Sequence, residues 1–182
     1  NPSKDLEMFK ICRDFLPKGI YLGFDANNGY SVSTAIRQGR YFEELGISHF
    51  EEPVAEYDYL GLKQVCDALD VPVSAGEQEH TRWQFRDLIM NANPDILQPD
   101  ISYAGGISEV ERIYGLADIF NKPIMPHCPS ASVANAASLH LYATITNAVR
   151  PHEFSYEFSG PAVDINILFD GCPQPKDGYV TL

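Results

Sequence analysis

An ionisable residue closes one short apolar run after another along this chain, and a helical segment follows each run. Ile20 to Asp25, Ile47 to Glu52, Val71 to Glu77, Asp95 to Asp100, Ile124 to His127 and Glu153 to Glu157 read as strands. Between them, Ser31 to Leu45, Tyr59 to Leu69, Thr81 to Ala92, Ser108 to Phe120 and Ser132 to Thr146 read as helices, and Asp5 to Leu16 as a helix ahead of the first strand. Ser31 or Ser33 is a candidate N-cap and Gly46 a stop. Ser108 and Glu111, three apart, are a capping-box candidate.

Strands alternating with helices of this length specify βαβ units and a parallel α/β sheet. No GxGxxG follows the first strand and no GxxxxGK[ST] occurs, which removes the common nucleotide-binding signatures. The remaining common solution is a TIM-type (β/α) barrel. A closed barrel needs about eight strands, and about six are visible. Two are therefore expected before Asn1, with the chain a piece of a longer enzyme. On this reading residues 1–159 form a partial catalytic barrel. The Gly- and Pro-rich stretch 160–182 is a loop or tail.

The 182 residues are 45% apolar, enough for a packed core, and 25 acidic against 13 basic residues give a net charge of −12. That balance argues against nucleic acid or an anionic membrane as partner. No apolar run is long enough for a transmembrane helix, and Asn1 to Lys10 has neither the basic nor the apolar region of a signal peptide. Cys12, Cys66, Cys128 and Cys172 are scattered, with no CxxC pair, and read as free thiols in a reducing, cytoplasmic setting.

The strand-closing residues Asp25, Glu51, Glu77, Asp100, His127 and Glu153 recur at intervals of 26, 26, 23, 27 and 26 residues, about one βα unit each. In a barrel they share the C-terminal rim, where active sites lie. Taken singly, each carboxylate is a solvated loop residue or a helix cap. As three neighbours, Asp25, Glu51 and Glu77 offer oxygen-only ligands suited to Mg2+, with Mn2+ possible, rather than Zn2+. Asn27, of the same strand parity as Asp25, is a candidate for hydrogen bonding at the site or a plain turn residue. Asp100 behind His127 would orient the imidazole and raise its basicity, suiting a general base. His49, His80, His140 and His152 read as structural. A Cys128–His127 nucleophile pair is disfavoured because adjacent strand residues face opposite ways. Glu153 could donate a hydrogen bond to an oxyanion if kept neutral, with Ser155 and Glu157 as rivals.

The ordered motifs Asp25-Ala26-Asn27, Glu51-Glu52-Pro53, Gly76-Glu77, Gln98-Pro99-Asp100, Gly105-Gly106 and Pro126-His127 resemble the barrel domain of the enolase superfamily, in its mandelate racemase/muconate lactonizing branch. The resemblance runs from about Ile20 to Glu157. It implies an Mg2+-assisted removal of the α-proton from a small carboxylate substrate, giving an enediolate. It implies Asp25, Glu51 and Glu77 as metal ligands and His127 as base or general acid with Asp100 behind it. Glu153 matches the last rim carboxylate, and Asn27 and Glu52 match substrate-binding or supporting positions. The family's Lys-x-Lys has no counterpart, since Lys4, Lys10 and Lys18 lie too near the first helix. That motif and an α+β capping domain would precede Asn1, with the tail returning toward that domain. The implied activity is dehydration of a sugar acid. Racemisation or epimerisation of a 2-hydroxy acid is the alternative, and a degenerate barrel kept for binding is the non-enzymatic one. A homo-oligomer is expected. Some family dehydratases carry His where Asn27 stands, which sets that subtype aside.

Overall fold

The structure is a computed structural model that describes residues 1–128, 133–154 and 173–182. The chain divides into two units, one made of Asn1–Gly76 and Arg86–Ile96, the other of Glu77–Phe85 and Leu97–Leu182.

In the first unit, α1 (Pro2–Phe15) begins three residues earlier than its periodicity predicts. Asn1 caps it by accepting the Ser3 N–H, and Pro2 suits a first helical position, where no N–H is needed. α2 (Val32–Glu44) starts where the sequence indicates. Ser31 accepts the Thr34 N–H, and Gly46 ends the helix at φ 74°, the left-handed conformation that glycine adopts freely. Asp58 caps α3 (Tyr59–Ala68) through the Gly61 N–H at 2.8 Å.

Strands β1 (Phe24–Asp25), β2 (Phe50–Glu51) and β3 (Val73–Ala75) pair in parallel, and β4 (Ile96–Leu97) completes the order β1-β2-β3-β4. Each strand is shorter than its apolar run. The rim turns explain where they stop: Asn27 and Asn28 follow β1 at φ 46° and 61°, Glu52 follows β2 at φ 38°, and Gly76 follows β3 at φ 130°. A left-handed residue breaks the extended ladder, so β2 stops short of Glu52 and β3 short of Glu77.

The buried face of α2 is Ala35, Gln38, Gly39 and Phe42, at helical spacing. Phe42 packs among Phe9, Phe24 and Phe50 at centroid distances of 5.1, 4.6 and 5.6 Å. Gly39 admits Leu69, whose Cδ1 would lie 2.3 Å from any Cβ there. Phe42 is fully buried, so Phe42→Ala is expected to cost about 3–5 kcal/mol of stability. Chemical denaturation monitored by circular dichroism measures this, and a loss below about 1 kcal/mol would show that the cluster closes over the gap.

In the second unit the expected fifth strand, Ile124 to His127, is reduced to one parallel bridge between Leu97 and Ile124. Of the expected sixth strand, Glu153 and Phe154 are not in regular strand, and Ser155 to Glu157 lie outside the described residues. Residues 160–172 of the expected tail, with Cys172, also lie outside them. α5 (Ile107–Ile119) is capped by Gly106 at φ 89° with no side-chain hydrogen bond, so the Ser108–Glu111 capping box does not form. The acid that works there is Glu109. It accepts the Arg82 backbone N–H, and its two carboxylate oxygens bind the guanidinium at 2.8 and 2.7 Å. Arg82 opens α4 (Arg82–Asn91), so the pair joins two helix starts. The Ala-rich segment forms α6 (Val133–Tyr142). Among the described residues no helix is long and apolar enough to cross a membrane.

Candidate active site

In the first unit, parallel pairing places Asp25 and Glu51 at the same level, as register partners. The turn after β1 folds back on Asp25: its carboxylate accepts the Asn27 backbone N–H at 2.7 Å and a hydrogen bond from the Asn27 side-chain amide. Asn27 therefore fixes the Asp25 carboxylate. Glu52 is buried, and its carboxylate accepts from Asn28 Nδ2 at 2.7 Å while its carbonyl accepts the Asn28 N–H at 2.9 Å. Glu52 is thus a buttress of the β1 turn. Asn28 is its partner. Glu51 Oε2 lies 3.7 Å from His49 Nε2, two residues earlier on the same strand face. The His49 ring fills the place where a side chain on Gly23 would stand.

In the second unit, Glu77 and Asp100 flank the His127 imidazole, and the Glu153 charge also acts on it. His127 Nδ1 is 2.8 Å from Asp100 Oδ2, and its Nε2 is 3.4 Å from Glu77 Oε2. Asp100 Oδ1 accepts the backbone N–H groups of Ser102 and Tyr103 at 2.6 and 3.0 Å. One carboxylate oxygen is tied to the main chain, which leaves the other to orient the ring. Burial works against the Asp100 charge, but the His127 bond and the two amides outweigh it and hold its pKa below the usual carboxylate value. Burial also disfavours the imidazolium of His127. The Asp100 hydrogen bond and the charges of Glu77 and Glu153 overturn that and push its pKa up to about 9. Neutralising the Glu77 charge would draw that pKa down and leave Nε2 able to accept a proton.

Cys128 is buried, and burial first, then the Asp100 and Glu153 charges, push its thiol up to about 12. A thiol at that value is a poor nucleophile at neutral pH, so the pair with His127 is unsuited to covalent catalysis. Glu153 Oε2 accepts the Cys128 N–H at 2.9 Å.

Burial lowers the pKa of His152, a shift that its hydrogen bond with the Glu153 carbonyl partly offsets. In the unfolded chain the ring protonates near its ordinary value of about 6.5, where the native ring resists. Stability should therefore fall as pH drops below that value and be unaffected above it. The urea midpoint at pH 7.5 and at 5.5 measures this. His152→Asn should shrink the loss, and an equal loss in the variant would assign it to another group.

The donor chemistry of Asp25, Glu51 and Glu77 fits a hard divalent cation, since every donor is a carboxylate oxygen. Among the described residues, no group of three or more His, Cys, Asp or Glu side chains forms a cation site as it lies. Asp25 is engaged by Asn27, Glu51 faces His49, and Glu77 faces His127 and accepts from Gln78 Nε2 at 3.0 Å.

The sequence matches the Enolase C-terminal domain-like family over residues 1–182. The chain belongs to that family. Its parallel strand–helix order is therefore that of the family's TIM-type barrel. The chain is 34% identical over 145 residues to the arabinonate dehydratase of Saccharolobus solfataricus, covering 79% of this chain and 39% of that enzyme. It is 34% identical over 143 residues to the D-galactarolactone cycloisomerase of Agrobacterium fabrum, covering 79% and 38%. A crystal structure of a mandelate racemase/muconate lactonizing protein from Paracoccus denitrificans, complexed with magnesium, superposes with a TM-score of 0.90 at 35% identity. That match covers 98% of this chain and 47% of the other. This enolase-family chain thus spans less than half the length of these three relatives.

Proposed function

We propose that this domain catalyses dehydration of a sugar acid, beginning with removal of the proton α to the substrate carboxylate. The observation that carries the reading is the His127–Asp100 pair, with an imidazole held at Nδ1 by a buried carboxylate and Nε2 turned to a second one. His127 Nε2 is the atom assigned to accept the α-proton and to return a proton to the departing β-hydroxyl. The substrate loses its α C–H and β C–O bonds, water leaves, and the enol product ketonises. Asp100 keeps the ring orientation through both transfers. Asp25, Glu51 and Glu77 are assigned to Mg2+, which when bound supplies positive charge at the substrate carboxylate as negative charge develops there. The arabinonate dehydratase relative supports the dehydration outcome.

A second reading is isomerisation from the same α-proton step, favoured by the equal identity to D-galactarolactone cycloisomerase. One experiment separates the two. The intact protein is incubated with Mg2+ in D2O against a panel of aldonates and aldarates that includes arabinonate, galactonate and galactarate, and products are read by NMR. Loss of water to a 2-keto-3-deoxy acid supports dehydration. Deuterium at the α-carbon, or isomer formation without water loss, supports isomerisation. Neither outcome across the panel in a protein that binds Mg2+ would overturn both.

A further inference from the structure

The two peptide groups that flank Cys128 are each held by a side chain. The Cys128 N–H donates to Glu153 Oε2 at 2.9 Å, and the Cys128 carbonyl accepts from Asn135 Nδ2 at 2.9 Å. Cys128 and Asn135 are both buried, at 3% and 1% exposure. Asn135 sits on α6 in the run Val133-Ala-Asn-Ala-Ala137, where the flanking side chains are small and apolar. A buried amide in such a helix carries a desolvation cost that an alanine would avoid. Its reach to a main-chain carbonyl just past His127 offsets part of that cost.

We infer that Asn135 is a positioning residue for His127: by holding the Cys128 carbonyl it fixes the backbone from which the imidazole projects. Asp100 grips the ring at Nδ1 and sets its orientation. That grip alone leaves the His127 Cα free to shift about the shared hydrogen bond. The bonds to Cys128 remove this freedom at the next residue, so ring and backbone are pinned independently and Nε2 has one location. Losing the Asn135 donor removes that hold on the Cys128 carbonyl, and the segment that carries His127 is expected to shift. A displacement near 1 Å of a reacting group lowers rate by up to about 10²-fold. The functional meaning of this clamp rests on the assignment of His127 as the proton-transfer group.

The test needs no substrate. In the intact protein, the proton between His127 Nδ1 and Asp100 gives a downfield imidazole resonance, assigned by its disappearance in His127→Asn. Asn135→Ala is expected to shift or broaden that resonance. Ser138→Ala, which removes another, part-buried hydrogen bond of α6, to His152 Nε2 at 2.8 Å, should leave it in place. Asn135→Ser, too short to reach the carbonyl, is the second variant should the alanine protein fail to fold, and the same change is expected. An unmoved resonance in a folded Asn135 variant, or an equal change in Ser138→Ala, would overturn the inference. A shifted resonance together with full turnover in His127→Asn would instead sink the proton-transfer assignment and leave the clamp standing.

Discussion

Replacing His127 with Asn is expected to lower acid-sugar turnover and α-proton exchange by roughly 10²–10⁴-fold while leaving the fold and Mg2+ binding in place. Asn keeps a polar group near Asp100 but has no nitrogen that can take and return a proton. The ring is partly buried and its main tie to the protein is one side-chain bond to Asp100, so the structural cost should be small. Rates in D2O, circular dichroism and calorimetric Mg2+ titration read the three quantities separately. Asp100→Asn should also lower turnover, by a different route. Its carbonyl oxygen can still accept the Ser102 and Tyr103 amides, which turns the NH2 toward His127 Nδ1 and forces the opposite tautomer on the ring. Full activity in His127→Asn would move proton transfer to another group altogether.

Glu51→Gln is expected to weaken Mg2+ binding by more than about tenfold, since a hard cation loses a full ligand charge while the side-chain volume is kept. Glu51 is the sharper choice among the three carboxylates. Its one other described neighbour is His49 Nε2, at 3.7 Å, whereas Asp25 is hydrogen-bonded by Asn27 and Glu77 also sets the charge seen by His127. Calorimetry on the intact protein gives the answer directly. An unchanged affinity would remove Glu51 from the ligand set. A lost affinity with an unaltered His127 resonance would separate the metal role from the proton-transfer role.

The rim register was readable because it depends on a regular period. A βα unit of nearly constant length returns the chain to the same end of the sheet, so Asp100 and His127, 27 residues apart, pair by spacing alone. The Ser31 cap and the Gly46 stop were readable for a similar reason, since each acts within one helical turn. The strand ends were not. Glu52 adopts φ 38° although glutamate has no preference for that conformation. Its buried carboxylate and its carbonyl are both bound to Asn28, and two hydrogen bonds across 24 residues outweigh a local bias. The capping box at Ser108 failed for a related reason: the neighbouring acid Glu109 binds Arg82 from another helix, and Gly106 starts α5 without a side-chain bond.

By itself, then, the sequence determined what is periodic or local: parallel βα order, the level at which ionisable groups recur, and the helix ends set by capping within a turn. Only the tertiary structure decided which atoms those groups face. It ties one oxygen of Asp100 to the main chain and leaves the other for His127, makes Glu52 a buttress of the β1 turn, and engages Glu153 and Asn135 on either side of Cys128. The reason is physical. A side chain's partner is set by burial and by whichever unsatisfied donor or acceptor lies within about 3 Å, and residues 24 or 27 apart in sequence come within that distance only once the sheet and its helices have packed.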